Sequence, residues 1–339
     1  MKKIENVLGE RIMILDGAMG TMLQRYKFTE SDFRGKRFKD WPYPLQGNND
    51  LLTLTQPEAI AEVHAKYFEA GADIVETNTF SSTSIAMADY HMEDLAYELN
   101  YESARIAKRV AREFTKREPN KPRFVVGSIG PTNKTASMSP DVNDPGFRAV
   151  SFETLRLAYK QQVEALLDGG VDILMVETVF DTLNAKAALF AIEEVKQSRN
   201  IQTPVMVSGT ITDASGRTLS GQTAEAFLIS VGHIPLLSVG FNCALGAKQL
   251  VPHLDAISDR TEVAISAHPN AGLPNAFGDY DQTPDQMAEQ IKEYLDKNLV
   301  NIIGGCCGST PEHIKAIAEL TKDYKPREFT ISEKKGVQL

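Results

Sequence analysis

Cysteine is scarce in this sequence. There are three in 339 residues, an odd number too small for a disulfide framework, and two of them are adjacent, where a bridge would be strained. No apolar run approaches the ~18 residues of a membrane span. Met1-Lys2-Lys3-Ile4-Glu5-Asn6 has the charge of a signal n-region but not the apolar stretch that should follow it. Basic charge is not in excess either: the net charge is −9, and basic pairs such as Lys108-Arg109 and Lys116-Arg117 are scattered among acids. Without an aromatic-rich basic stripe, nucleic acid is disfavoured as a partner. These absences predict a cytoplasmic protein with neither membrane nor nucleic-acid partners. A dinucleotide fingerprint is missing too, since the first strand is followed only by Asp16-Gly17-Ala18-Met19-Gly20.

What is present is an ordinary globular composition, 42% apolar and 24% charged, with enough apolar residues for a sizeable core. Eight β-branched runs predict strands at 12–16, 73–77, 124–129, 172–178, 204–211, 237–243, 262–268 and 300–305. Helical periodicity follows each, at 57–70, 95–116, 152–167, 183–197, 224–231, 247–258, 284–297 and 311–321. Pro57, Pro284 and Pro311 suit first helical positions. Strand then helix, eight times over, predicts a single-domain (β/α)8 TIM barrel over residues 1–325, with 326–339 a charged tail or linker. An internal echo supports the repeat: Ala70-Gly71-Ala72-Asp73-Ile74-Val75-Glu76-Thr77 resembles the stretch from Gly169 to Thr178, and both close a strand with Glu-Thr. The segment from Tyr26 to Leu54 reads as an insertion after the first strand.

In such barrels the working residues gather at the carboxyl ends of the strands. Asp16, Glu76-Thr77, Glu177-Thr178, Asn242-Cys243, His268-Pro269-Asn270 and Cys306-Cys307 all fall there, which brings the three cysteines to one mouth. Taken alone, Cys243 reads as a small buried core residue. Grouped with a glycine-flanked pair, Gly304-Gly305-Cys306-Cys307-Gly308, it reads as a metal ligand. Three thiolates form a soft set suited to Zn2+, and a missing fourth protein ligand marks a site open to substrate. Such an electron-rich set favours activation of an incoming thiol over hydrolysis. Asp16, Glu76 and Glu177 would then address the rest of the substrate, with rim salt bridges or caps as the plainer alternative. Glu177 ends the apolar run Leu174-Met175-Val176 and is costly to bury without a cation, such as a substrate ammonium. His268 could add a fourth ligand, although His-Pro-Asn more often forms a hydrogen-bonding turn. The remaining histidines, His64, His91, His233, His253 and His313, fall in or beside predicted helices.

At these residues the sequence resembles the homocysteine S-methyltransferase family, whose Asn-Cys and Gly-Gly-Cys-Cys-Gly motifs match Asn242-Cys243 and Gly304–Gly308. The resemblance implies a (β/α)8 barrel with Cys243, Cys306 and Cys307 as zinc ligands. It implies homocysteine contacts at Asp16, Thr77 and Glu177, with Asp16 and Glu177 on the amino group and backbone amides near Gly17 and Ala18 on the carboxylate. Longer stretches are similar to the first, homocysteine-binding module of cobalamin-dependent methionine synthases. They include Gly47-Asn48-Asn49-Asp50, Pro140–Pro145, Ser208–Thr218 and His268–Pro274.

By that resemblance, methionine would form with methylcobalamin as immediate donor and 5-methyltetrahydrofolate as ultimate source. The cobalamin- and folate-binding modules would be supplied in cis or in trans. The competing readings are a cobalamin-independent enzyme using betaine or S-methylmethionine, and a non-catalytic zinc-binding barrel.

Overall fold

The structure is a computed structural model that describes residues 3–330 apart from Ala214; Met1, Lys2 and positions 331–339 of the expected tail lie outside the described residues. Eight parallel strands appear where the apolar runs placed them: β1 (Met13–Ile14), β2 (Ile74–Glu76), β3 (Phe124–Ile129), β4 (Ile173–Val179), β5 (Val205–Gly209), β6 (Ser238–Gly246), β7 (Ala264–Asn270) and β8 (Ile302–Ile303). Each pairs with its sequence neighbour from β2 to β8, and β8 pairs with β1. The last seam, between β1 and β2, is a bridge of Leu15 to Ile74, with Asp16 N donating to Ile74 O at 3.0 Å and Asp73 N to Ile14 O at 2.7 Å. The ring is closed, so the predicted (β/α)8 barrel is the observed fold.

The intervening helices are α1 (Pro57–Glu69), α2 (Ala96–Arg117), α3 (Phe152–Gly169), α4 (Thr182–Arg199), α5 (Ala224–Val231), α6 (Ala247–Ser258), α7 (Pro284–Asp296) and α8 (Pro311–Leu320). Period-two alternation along the strands divides the core in two. Met13, Leu15, Phe124, Val126, Met175 and Met206 fill the barrel, whereas Ile12, Ile14, Val75, Val125 and Leu174 pack outward with the helices.

A further helix, Ile4–Glu10, sets Ile4, Val7 and Leu8 against the inner cluster. Phe329 joins that cluster, while the Arg327 guanidinium donates to Ser258 O at 2.5 Å and Thr261 O at 2.6 Å, so residues 326–330 lie against the barrel. Among the described residues no helix is long and apolar enough to cross a membrane.

The sequence echo has a physical basis. Asp73 and Asp172 each accept the N–H of a neighbouring strand, from Ile14 at 2.9 Å and Val125 at 2.8 Å. Each is held by a cation: Arg11 Nη1 lies 2.6 Å from Asp73 and Lys108 Nζ 2.6 Å from Asp172. The two segments thus register their strands by one device, and each delivers a glutamate to the opposite end of the barrel.

Candidate active site

Cys243 leaves β6 at an irregularity. The register between β6 and β7 shifts between Asn242 and Gly246, and Cys243 and Ala244 have φ of +60° and +54°. Left-handed backbone in residues with a Cβ costs on the order of 1 kcal/mol each and tends to cluster at functional sites. Cys306 and Cys307 follow β8. There a Cβ on Gly305 would lie 2.3 Å from Ser309 Oγ, so only glycine lets the turn close. Cys306 N donates to Pro269 O at 2.8 Å, and Ala271 N to Cys307 O at 2.9 Å, pinning the pair against the end of β7.

The three sulfurs converge, all within 4.8 Å of one another, with Cys243 Sγ 3.6 Å from Cys307 Sγ. That separation excludes a disulfide, whose sulfurs lie about 2.05 Å apart. It matches the edge of a tetrahedron of thiolates around zinc, about 3.8 Å for Zn–S bonds of ~2.3 Å. The donor set therefore fits Zn2+. Hydrogen bonds from Cys243 and Cys306 push the Cys307 thiol down to about 3. Cys243 is lowered by its bond with Cys306, but its bond to Cys307 and burial carry it up to about 11.

Asp16 and Glu177 are buried at 2% and 6% exposure, and Glu76 is half-buried beside them. Asp16 Oδ2 accepts Glu76 N at 3.0 Å, while Asp16 Oδ1 is buried with no partner. Glu177 accepts a hydrogen bond from Ser128 Oγ. Among the described residues none of the three acids forms an ion pair with a basic side chain. Burial, then mutual repulsion, raises Asp16 and Glu76 well above the usual carboxylate range, and burial raises Glu177 to about 7. Three carboxyls without a cation form a site that lacks its counter-charge.

Gly17 and Ala18 lie beside these acids. A Cβ on Gly17 would meet Ser309 Oγ at 2.6 Å and Tyr67 Oη at 3.0 Å, and Ala18 N donates to Ser309 Oγ at 3.2 Å. The Thr77 hydroxyl is engaged within the protein, accepting from Ser128 N at 3.0 Å and pairing with Thr79 Oγ1 at 2.7 Å. His268 lies within β7 and its ring is outside the sulfur cluster; its Nε2 is buried without a partner, and burial lowers it to about 3. Asn270 Oδ1, between the backbone contacts that pin the cysteine pair, is also buried and unpartnered.

One cavity of about 970 Å3 at the strands' carboxyl ends unites the cysteines, the acids, Gly17, Ala18 and Thr77. Its wall also includes Asn48, Asp50 and Tyr90, which sequence reasoning had not placed in the site. Asn48 and Asp50 lie in the insertion from Tyr26 to Leu54, which has no strand pattern to place them, and Tyr90 lies in the stretch between the second predicted strand and the next predicted helix. Asn242, noted in the sequence only as the neighbour of Cys243, also proves central. It bonds Thr178 and Ser208, and its Nδ2 lies 3.8 Å from Cys306 Sγ.

The sequence profile of the family described as Homocysteine S-methyltransferase matches residues 13–321. Among solved structures, the metallated form of the homocysteine methyltransferase MmuM from Escherichia coli is similar to this chain with a TM-score of 0.71. The identity is 23%, over 93% of this chain and 98% of that one. Its oxidized form gives a TM-score of 0.69 at 22% identity, covering 91% and 95%. At these identities the structural likeness speaks for the fold.

Proposed function

The chain belongs to the homocysteine S-methyltransferase family, and from that premise we propose that it transfers a methyl group from an external methylcobalamin to the sulfur of homocysteine, forming methionine. The methyl group would come ultimately from 5-methyltetrahydrofolate. The observation that carries the reading is the pairing, in one cavity, of three free thiols with three acids that have no cation. Homocysteine complements both: a thiol for the first and an ammonium for the second.

Cys243, Cys306 and Cys307 would hold Zn2+, which when bound lowers the pKa of a thiol and keeps it as a nucleophilic thiolate. Asp16 and Glu177 hold the ammonium between them, with Glu76 adding negative potential. The carboxylate reaches the amides of Gly17 and Ala18, competing at Ala18 with the Ser309 hydroxyl. Thr77 contributes at the wall, its hydroxyl fixed by Ser128. Anchored at both ends, the amino acid presents its sulfur to the open mouth. The sulfur gains the methyl carbon, and the carrier keeps the electron pair of the bond that breaks. Orientation of the two reactants is the protein's main contribution.

Two features support an external corrinoid as carrier. The stretches similar to cobalamin-dependent methionine synthases lie largely in loops at the mouth. Those loops also expose apolar side chains: Val142 and Phe277 at 90%, with Phe147, Leu219 and Leu273 near half. A rim of this kind suits a large partner that docks over the cavity.

The test is methionine formation by the zinc-loaded chain from homocysteine with free methylcobalamin, S-methylmethionine or betaine. Turnover with methylcobalamin alone is the expected result. Turnover with betaine or S-methylmethionine alone would assign a cobalamin-independent enzyme, and no turnover with any donor would leave a zinc-binding barrel.

A further inference from the structure

We propose that Ser309 is the spacer that sets the chain length of the amino thiol this site accepts, selecting homocysteine over cysteine. The proposal rests on the homocysteine reading given above and names the positioning residue that makes the site specific for that length of side chain.

An amino acid held at both ends is measured by the protein that holds it. On the reading above, its ammonium and carboxylate lie on the loop after β1, Asp16-Gly17-Ala18, and its sulfur lies at the metal held in part by the turn after β8, Gly305-Cys306-Cys307. Both segments line the one cavity. Cysteine is one methylene shorter than homocysteine. Whatever fixes the separation of loop and turn therefore decides which of the two amino acids reaches both ends.

Ser309 stands in that separation, fully buried. A Cβ on Gly17 would lie 2.6 Å from its Oγ, and a Cβ on Gly305 would lie 2.3 Å from the same atom. The hydroxyl is thus wedged between two glycines, one from each segment, closer than any residue with a Cβ permits. Its hydrogen bonds run the same way. Oγ accepts from Ala18 N at 3.2 Å and donates to Cys306 O at 2.6 Å. One atom touches the amino-acid loop on one side and the backbone of a cysteine of the metal set on the other. In a close-packed interior such a filler cannot be compressed.

Other contacts fasten the same two segments. Gly305 N donates to Asp16 O at 3.0 Å, and Gly308 N donates to Thr21 Oγ1 at 3.1 Å. The Tyr67 hydroxyl is 3.1 Å from Ala18 O and 3.3 Å from Ser309 O. These bonds draw loop and turn together, and the Ser309 hydroxyl between the glycines stops their approach. Ser309 differs from the other fasteners in reaching Cys306 itself.

The experiment measures the affinities of L-homocysteine and L-cysteine for the zinc-loaded chain by calorimetric titration. Wild-type protein should prefer homocysteine by about tenfold or more, the range that one methylene is worth in a fitted site. Ser309→Ala removes the spacer and should bring the two affinities to within about twofold of each other, with zinc content unchanged. Tyr67→Phe removes the other hydroxyl that joins the segments but leaves Ser309 in place, so the wild-type preference should persist in it. Loosening of the fold alone would weaken both amino acids together and leave their ratio alone, and melting temperatures record that loosening in each variant. Equal wild-type affinities for the two amino acids, a comparison that needs no variant, would overturn the spacer and leave the homocysteine reading standing. So would a preference that survives in Ser309→Ala, or one lost equally in Tyr67→Phe. No binding of homocysteine to the wild-type chain would overturn the homocysteine reading and the spacer with it.

Discussion

Asn242 and Thr178 are bonded to each other twice. Asn242 Nδ2 donates to Thr178 Oγ1 at 2.8 Å, and Asn242 Oδ1 accepts from Thr178 N at 3.0 Å. Both ends of this link are irregular strand positions. Thr178 has φ of +53° within a register shift of β4, and Asn242 precedes Cys243 at the shift in β6. Ser208 on β5 adds a bond to the same Oδ1 at 2.7 Å. One side chain therefore ties the backbone beside Glu177 to the backbone beside Cys243.

Removing that tie should loosen both halves of the site. Asn242→Ala takes the acceptor from the part-buried Thr178 N–H and the buried Ser208 hydroxyl, and a loss of about 1–3 kcal/mol in unfolding free energy is expected. It also removes the amide donor 3.8 Å from Cys306 Sγ, so zinc affinity should fall about tenfold, as is usual for groups that orient metal ligands. Chelator competition and denaturant unfolding measure the two effects. Unchanged zinc affinity would confine Asn242 to a structural role.

Glu177→Gln should weaken homocysteine binding about ten- to a hundredfold while leaving zinc content intact, because the acid is assigned to the ammonium and not to the metal. Calorimetric titration of the zinc-loaded variant checks the first, and metal analysis the second. Loss of metal in this variant would contradict the division of labour.

The same residue gives a pH signature in protein free of metal and substrate. Burial raises Glu177 from its ordinary 4.5 to about 7, so the folded state holds this proton more tightly than the unfolded chain. Its contribution to stability is full below about pH 4.5 and is lost as pH rises through 7. Glu177→Gln has no such proton to lose. The melting temperature of the variant relative to wild type should therefore climb between pH 5 and pH 8. A difference that stays flat or falls would show that Glu177 ionises in the folded protein as it does in water.

Gly17→Ala should be damaging out of proportion to one methyl group. The new Cβ would sit 2.6 Å from Ser309 Oγ and 3.0 Å from Tyr67 Oη, and these groups bond Ala18 N and Ala18 O. A cost of about 1–3 kcal/mol in stability is expected, with a raised KM for homocysteine because the carboxylate end of its site shifts. Steady-state kinetics and thermal unfolding provide the check.

Much of this was legible in the sequence because strand ends in a barrel are geometrically equivalent. Placing Cys243 after β6 and Cys306-Cys307 after β8 was enough to bring the sulfurs to one mouth, and β3 runs over the predicted 124–129. The shortest strands were overestimated. β1 and β8 keep only two laddered residues each, because Asp16 and Gly305 turn toward one another, with Gly305 N donating to Asp16 O at 3.0 Å.

The helix Ile4–Glu10 escaped notice because it has seven residues and no side-chain cap. It is made stable by the barrel end it covers and not by its own propensity. The links through Asn242 were illegible for another reason. Their meaning depends on partners present or missing in space, with Thr178 lying 64 positions away in the chain.

The central claim is that three cysteines hold zinc in a site that accepts homocysteine through its sulfur. X-ray absorption at the zinc edge, recorded on the zinc-loaded chain before and after adding homocysteine, tests it most directly. The account predicts one zinc per chain with three sulfur neighbours from Cys243, Cys306 and Cys307, rising to four sulfurs with homocysteine. A sulfur shell that does not change on adding homocysteine, or zinc retained in full after Cys→Ser substitution at all three positions, would contradict it.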